Sequence, residues 1–229
     1  MKIVCSTGGS GSSSVAGQFK RAKWKICKRP DGGKLKSAGK HIFTFRARMK
    51  PFFHTKKADL VKMNECELFD FAMRKLRKKD TSKTFMNCFR WGGLGFFNEY
   101  PDEVIFLIRD PVFAFNSYSG LGWRPEGGKR RMKMIGASGP NDVKWIDAFL
   151  DDFAMWIDTA KNALICKKAG HGKIIRYHKL NDDWGSIDAP FSYTFKSRDD
   201  PSKLGNLNRD TIEYIRNRTD DIWTEIKSF

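Results

Sequence analysis

Residues 7–15, TGGSGSSSV, interleave Gly8, Gly9 and Gly11 with Ser10, Ser12, Ser13 and Ser14. Glycines at such spacing let a backbone approach a ligand closely and adopt positive φ. At a helix start, the N–H groups of Ser12, Ser13 and Ser14 and the serine hydroxyls, aided by the helix dipole, suit an anion such as phosphate. The same composition suits a flexible linker. Position favours the cradle, because the loop runs straight from the apolar MKIVCS into a helical pattern beginning at residue 13. The loop contains no lysine or arginine. An ATP-type loop needs Lys then Ser/Thr after its last glycine, and here Gly11 is followed by Ser12 and Ser13.

A second anion-shaped pattern is IRDPVFAFNS. Arg109 closes an apolar run and Ser117 stands eight residues later. On a helix capped by Asp110, Ser117 comes close to the angular position of the cap, at about 100° per residue. A phosphate beside that helix start could touch both residues, and the arginine fork matches phosphate geometry. The alternative is an ion pair between Arg109 and Asp110 or another acid, with Ser117 filling a packing gap.

These residues need a scaffold. KIVCS and EVIFLI (103–108) read as strands buried on both faces of a parallel sheet. HIFTFRA, KTFMNCF and GKIIRY read as further strands. Helices are predicted over 13–27, with Val15, Phe19 and Ile26 along one stripe, and over 58–79. DPVFAFNSYSG starts a helix with Asp110 as N-cap and Pro111 at its first position. Residues 142–168 read as one long helix whose Trp145, Phe149, Phe153, Trp156, Ala160 and Leu164 form an apolar core face. A terminal helix begins after Asn208, with Leu207 and Ile212 placed as a hydrophobic staple. Residues 119–141 read as a long, basic, glycine-containing loop, the candidate lid, carrying Arg124, Lys129, Arg130, Arg131 and Lys133. Strands alternating with helices predict an α/β layered fold with a mainly parallel central sheet, in one domain spanning residues 1–229.

Composition narrows the class. The chain has 229 residues, of which 40% are hydrophobic, enough for a packed core. Five scattered cysteines without a C-x-x-C pair predict reduced thiols and neither a disulfide framework nor a metal site. No apolar run reaches the ~20 residues of a membrane span, and no secretory pattern is present, which predicts a soluble cytoplasmic protein. Forty-three Lys and Arg against 26 acids give a net charge of +17. That charge is either a solvated basic surface or a site for a polyanion such as nucleotide, acidic polysaccharide, anionic membrane or nucleic acid.

Taken in order, GGSGSSSV after a first strand, VIFLIRDPVFAFNSY, IIRYHKL, and SRDD followed by LNRDTIEYIRNRTDDIW resemble the sulfotransferase family that uses 3′-phosphoadenosine-5′-phosphosulfate. The resemblance spans most of the chain. It implies a three-layer sandwich of the P-loop NTPase-like type. Residues Gly8, Gly9, Ser10, Gly11, Ser12, Ser13 and Ser14 would then hold the 5′-phosphosulfate, and Arg109 and Ser117 the 3′-phosphate. Arg198, in the segment resembling the family's closing one, is a further candidate for that phosphate. The chain departs from the family in three places. Gly9 stands where the family carries a loop cation, which leaves Lys20, Arg21, Lys23 and Arg90 as replacements. The family's base histidine is missing, which leaves His41, His54, Glu65 and Glu67. Ser14 stands where an aromatic stacks on adenine, a role Trp24 could take.

The implied reaction moves a sulfuryl group from the nucleotide to a hydroxyl or amine, leaving 3′,5′-adenosine bisphosphate. It calls for in-line geometry, cations around the moving oxygens and a base, with His54, Glu65 and Arg90 the catalytic candidates and no metal. The acceptor is open, an anionic carbohydrate being one candidate. Two other readings remain: a basic binding protein for acidic glycan or nucleic acid with weakened catalysis, and a nucleotide-dependent kinase.

Overall fold

The computed structural model describes residues 2–11, 14–15, 25–26, 84–88, 103–120, 125–170, 172–184 and 195–229. Five strands form one sheet: β1 (Lys2–Ser6), β2 (Lys25–Ile26), β3 (Thr84–Cys88), β4 (Glu103–Ile108) and β5 (Lys173–Arg176). Their order is β2-β3-β1-β4-β5, and every pairing is parallel. β1 is therefore central, with Lys2 opposite both Phe85 and Glu103. The expected α/β architecture with a parallel sheet is present.

Six α-helices are described: α1 (Pro111–Gly120), α2 (Pro125–Met134), α3 (Val143–Asp147), α4 (Trp156–Lys168), α5 (Leu180–Trp184) and α6 (Arg209–Lys227). The strand residues alternate between two cores, as a period of two requires. Val104, Phe106, Ile108 and Cys5 join one core with residues of α1, α3, α4 and α6. Val4, Ile105, Leu107 and Ile175 join the other with Val15, Tyr177, Leu180, Trp184 and Phe195. Covering both faces explains why Val104–Ile108 is continuously apolar.

Three expectations need correction. Lys25–Ile26 pair with Thr84 and Phe85 as a strand and do not end a helix over 13–27. Two residues carry little periodic signal, so pairing with β3 decides their conformation. Within the predicted loop 119–141, Pro125–Met134 is helical. Proline at the first position and the run of Lys, Arg and Met, all good helix formers, explain it.

The expected long helix over 142–168 is broken. Asp142 caps α3 by accepting from the Lys144 amide at 2.9 Å. A π-helical stretch follows over Ala148–Phe153, and Met155 is left-handed at φ 52°, ψ 46° before α4 begins. The apolar spacing ran through the break without showing it, because Trp145, Phe149, Phe153, Trp156, Ala160 and Leu164 are all buried in one core.

Other expectations hold. Asp110 Oδ1 accepts from the Val112 and Phe113 amides at 2.9 and 3.4 Å, capping α1. Asn208 Oδ1 accepts from the Thr211 amide at 2.8 Å, capping α6. Residues of the predicted strand HIFTFRA and helix 58–79 lie outside the described residues.

Candidate functional site

β1 and β4 are neighbours running in the same direction, so the glycine loop and the start of α1 emerge at the same end of the sheet. They meet there. Arg109 Nη1 donates to the Gly9 carbonyl oxygen at 2.6 Å.

The loop is folded tightly against the protein. A β-carbon on Gly9 would stand 2.2 Å from the Ala114 carbonyl oxygen of α1, and Gly9 has φ +80°. A β-carbon on Gly11, with φ +81°, would stand 2.3 Å from Tyr177 Cε2, and one on Gly8 would stand 2.6 Å from Tyr118 Cδ2. Close packing of α1 and Tyr177 thus accounts for all three glycines. Ser10 is fully buried and its hydroxyl hydrogen-bonds that of Thr7. The Ser14 amide donates to the Gly11 carbonyl oxygen at 2.9 Å, so it is not the free donor expected of it. Ser12 and Ser13 lie outside the described residues, as do His41, His54, Glu65, Glu67, Arg90, Lys20, Arg21, Lys23 and Trp24.

Arg109 is 5% exposed. Besides the Gly9 bond, its Nε and Nη2 both reach Asp199 Oδ1 at 2.7 Å. Its guanidinium carbon lies 4.4 Å from the centre of the Tyr177 ring, a cation–π distance. Trp156 Nε1, from the start of α4, donates to the Arg109 carbonyl oxygen at 2.9 Å. The ion pair foreseen as the alternative for Arg109 is therefore formed, with Asp199 as the acid. Asp110 serves elsewhere: Oδ1 caps α1, and Oδ2 accepts from Arg216 Nη2 of α6 at 2.8 Å.

The Asp199 carboxyl is half-satisfied. Its side chain is 9% exposed, and Oδ2 is buried with no hydrogen-bond partner among the described residues. Burial pushes its pKa up, and Arg109 pulls only part of that back. Burial likewise raises the Tyr177 hydroxyl. At the end of β5 the balance reverses. Burial alone would raise Asp183, but the Arg176 side chain and amide together bring its pKa below the ordinary value. Asp183 Oδ1 and Oδ2 accept from Arg176 Nη2 and Nε at 2.7 and 2.9 Å, and the Arg176 amide donates to Oδ2 at 2.8 Å.

Ser117 lies half-buried on α1, one turn beyond Ala114. At about 100° per residue it sits within about 60° of the Ala114 direction. Arg198 is exposed, next to Asp199 in a segment without regular secondary structure. Tyr177 and Asp199 were the residues that spacing did not single out. A tyrosine closing the IIRY strand was the available signal for the first. Nothing in the sequence marks which acid pairs with Arg109 across 90 residues.

Among the described residues no group of His, Cys, Asp and Glu could hold a metal ion. No described helix is long and apolar enough to cross a membrane. Comparison with protein-family models, curated proteins and solved structures found no match.

Proposed function

We propose that the chain is a sulfotransferase that binds 3′-phosphoadenosine-5′-phosphosulfate between the glycine loop and the β4–α1 corner. The acceptor is a hydroxyl or amine, such as that of a carbohydrate, and the scaffold is a three-layer, P-loop NTPase-like sandwich. One observation carries the reading: Arg109 bonds the Gly9 carbonyl, so two strand-end corners suited to anions form one locale. In open parallel sheets such carboxyl-end crevices are where ligands bind.

Arg109 would face the 3′-phosphate through its planar fork, with Ser117 beside it and Arg198 approaching from the C-terminal segment. Its charge also lies against the loop at Gly9, where the family cation is missing. The nucleotide supplies an activated sulfuryl group. The protein's part is to align the acceptor oxygen or nitrogen in line with the breaking S–O bond and to accept the acceptor's proton.

A second reading has its own observation. Arg109 and the α1 start are already matched by the carboxylates of Asp199 and Asp110, which favours a basic binding protein for acidic glycan or nucleic acid. Thermal unfolding with 3′,5′-adenosine bisphosphate, ATP with magnesium, heparin and a short RNA separates the readings. Stabilisation by the bisphosphate, lost in Arg109→Ala judged against that variant's own baseline, is the expected outcome. Stabilisation only by heparin or RNA selects the binding protein, and only by ATP with magnesium a kinase.

A further inference from the structure

The pairing of Arg109 with Asp199 has an unusual form. One carboxylate oxygen takes both Nε and Nη2, while the other oxygen is buried without a partner among the described residues. A buried ion pair is well stabilised only when its remaining lone pairs are also satisfied. Arg109 is thus bound by a weak substitute for a bidentate anion. A phosphate could offer separate oxygens to Nε and Nη2 and leave none stranded.

The segment that carries Asp199 is held from either side. The Phe195 amide donates to Asn181 Oδ1, and its carbonyl accepts from Asn181 Nδ2, both at 2.7 Å. Beyond Asp199, Asp200 caps the turn Pro201–Leu204, and the Lys203 carbonyl accepts from Asn116 Nδ2 of α1 at 3.0 Å. Between these anchors Lys196, Ser197 and Arg198 are exposed. Asp199 is the residue of this span that reaches into the site through a side-chain ion pair.

We infer that Asp199 is an internal latch: its carboxylate occupies the anion seat of Arg109 in the free protein and leaves when the nucleotide's 3′-phosphate arrives, moving residues 196–200. The inference rests on the reading of Arg109 as a phosphate-binding residue. It makes nucleotide affinity a competition between two anions for one guanidinium. Removing the charge of Asp199 therefore tightens binding, which a purely structural ion pair would not do.

The test is calorimetric titration of the full chain and its Asp199→Asn variant with 3′,5′-adenosine bisphosphate and with adenosine 5′-monophosphate. The bisphosphate should bind the variant about tenfold tighter, the scale of one charge-assisted hydrogen bond, with the monophosphate unchanged. Equal or weaker bisphosphate affinity in the variant overturns the latch and leaves the nucleotide reading standing. Binding of the bisphosphate by neither form overturns both. Should Asp199→Asn fail to fold, hydrogen exchange of the unmodified chain decides the matter. Amides of residues 196–200 should exchange faster with the bisphosphate bound, and unchanged or slower exchange there overturns the latch.

Discussion

The Gly9 carbonyl oxygen and Arg109 Nη1 lie 2.6 Å apart across one hundred residues of sequence. That bond joins a loop with no cation of its own to the cation that closes the neighbouring strand. It also makes the loop and the β4–α1 corner mechanically one unit, because Gly9 rests against the Ala114 carbonyl four residues after Asp110 caps the helix.

Gly9 cannot become a side-chain-bearing residue at small cost. A left-handed conformation costs a non-glycine residue about 1–2 kcal/mol, and contact with the Ala114 backbone adds to it. Gly9→Ala should lower stability by more than about 2 kcal/mol, or roughly 4–8 °C in Tm at this chain length. Gly9→Lys, which restores the cation of the resembling family, should fare no better. Gly139→Ala has no heavy atom of the described residues within 4 Å and should stay within about 0.5 kcal/mol. Urea unfolding of the three variants checks this, and a stable Gly9→Lys would contradict the packing argument.

Trp156 ties the helix break to the site through the Arg109 carbonyl. Trp156→Phe removes the donor to a buried carbonyl and leaves a gap beside Trp223, whose ring centre lies 6.5 Å away. The expected loss is about 2–4 kcal/mol. Chemical denaturation followed by circular dichroism reads it, and a loss under about 0.5 kcal/mol would show the bond to be dispensable.

Asp183 sets an acid limit. Its folded pKa lies below the ordinary value, since the Arg176 bonds together exceed the opposing effect of burial. The stability it contributes is complete above the unfolded pKa of roughly 3.9 and fades as pH falls through the lower folded value. Asp199 has the opposite sign, because burial raises its pKa: its contribution is full below that same unfolded value and is lost as pH rises through the folded one. Asp183→Asn should therefore be less stable than the unmodified chain at pH 6, with the gap closing toward pH 2.5. A gap that stays constant with pH would assign the loss to shape alone.

Cys166 is 1% exposed and its thiol is pushed up to about 11 by burial. It should resist iodoacetamide at pH 8 in the native protein and react fully in denaturant. Cys5, fully buried in the sheet, should behave alike. Peptide mapping by mass spectrometry reads the two positions separately, and native labelling of Cys166 would contradict its burial.

Much of the scaffold was legible locally. EVIFLI is a strand at the predicted bounds, and Asp110 and Asn208 cap the helices they precede. Those features are written in adjacent residues: an uninterrupted apolar run, or a short polar side chain before a helix. What escaped was set by distant partners or by departures that keep the same apolar face. β2 exists through its pairing with β3. The left-handed Met155 interrupts a helix whose buried side chains still return to one core. At the site, Arg109 and the glycine loop were visible as types and spacings. Their junction and the intrusion of Asp199 depend on the order in which strands assemble.

That order has a consequence during synthesis. β1 hydrogen-bonds to β3 on one edge and β4 on the other, so both edges wait for Thr84–Cys88 and Glu103–Ile108 to be made. At about 5–20 residues per second, the apolar strand emerges from the ribosome roughly five to twenty seconds before its second neighbour. During that interval the edge of Lys2–Ser6 that pairs with Glu103–Ile108 stays open.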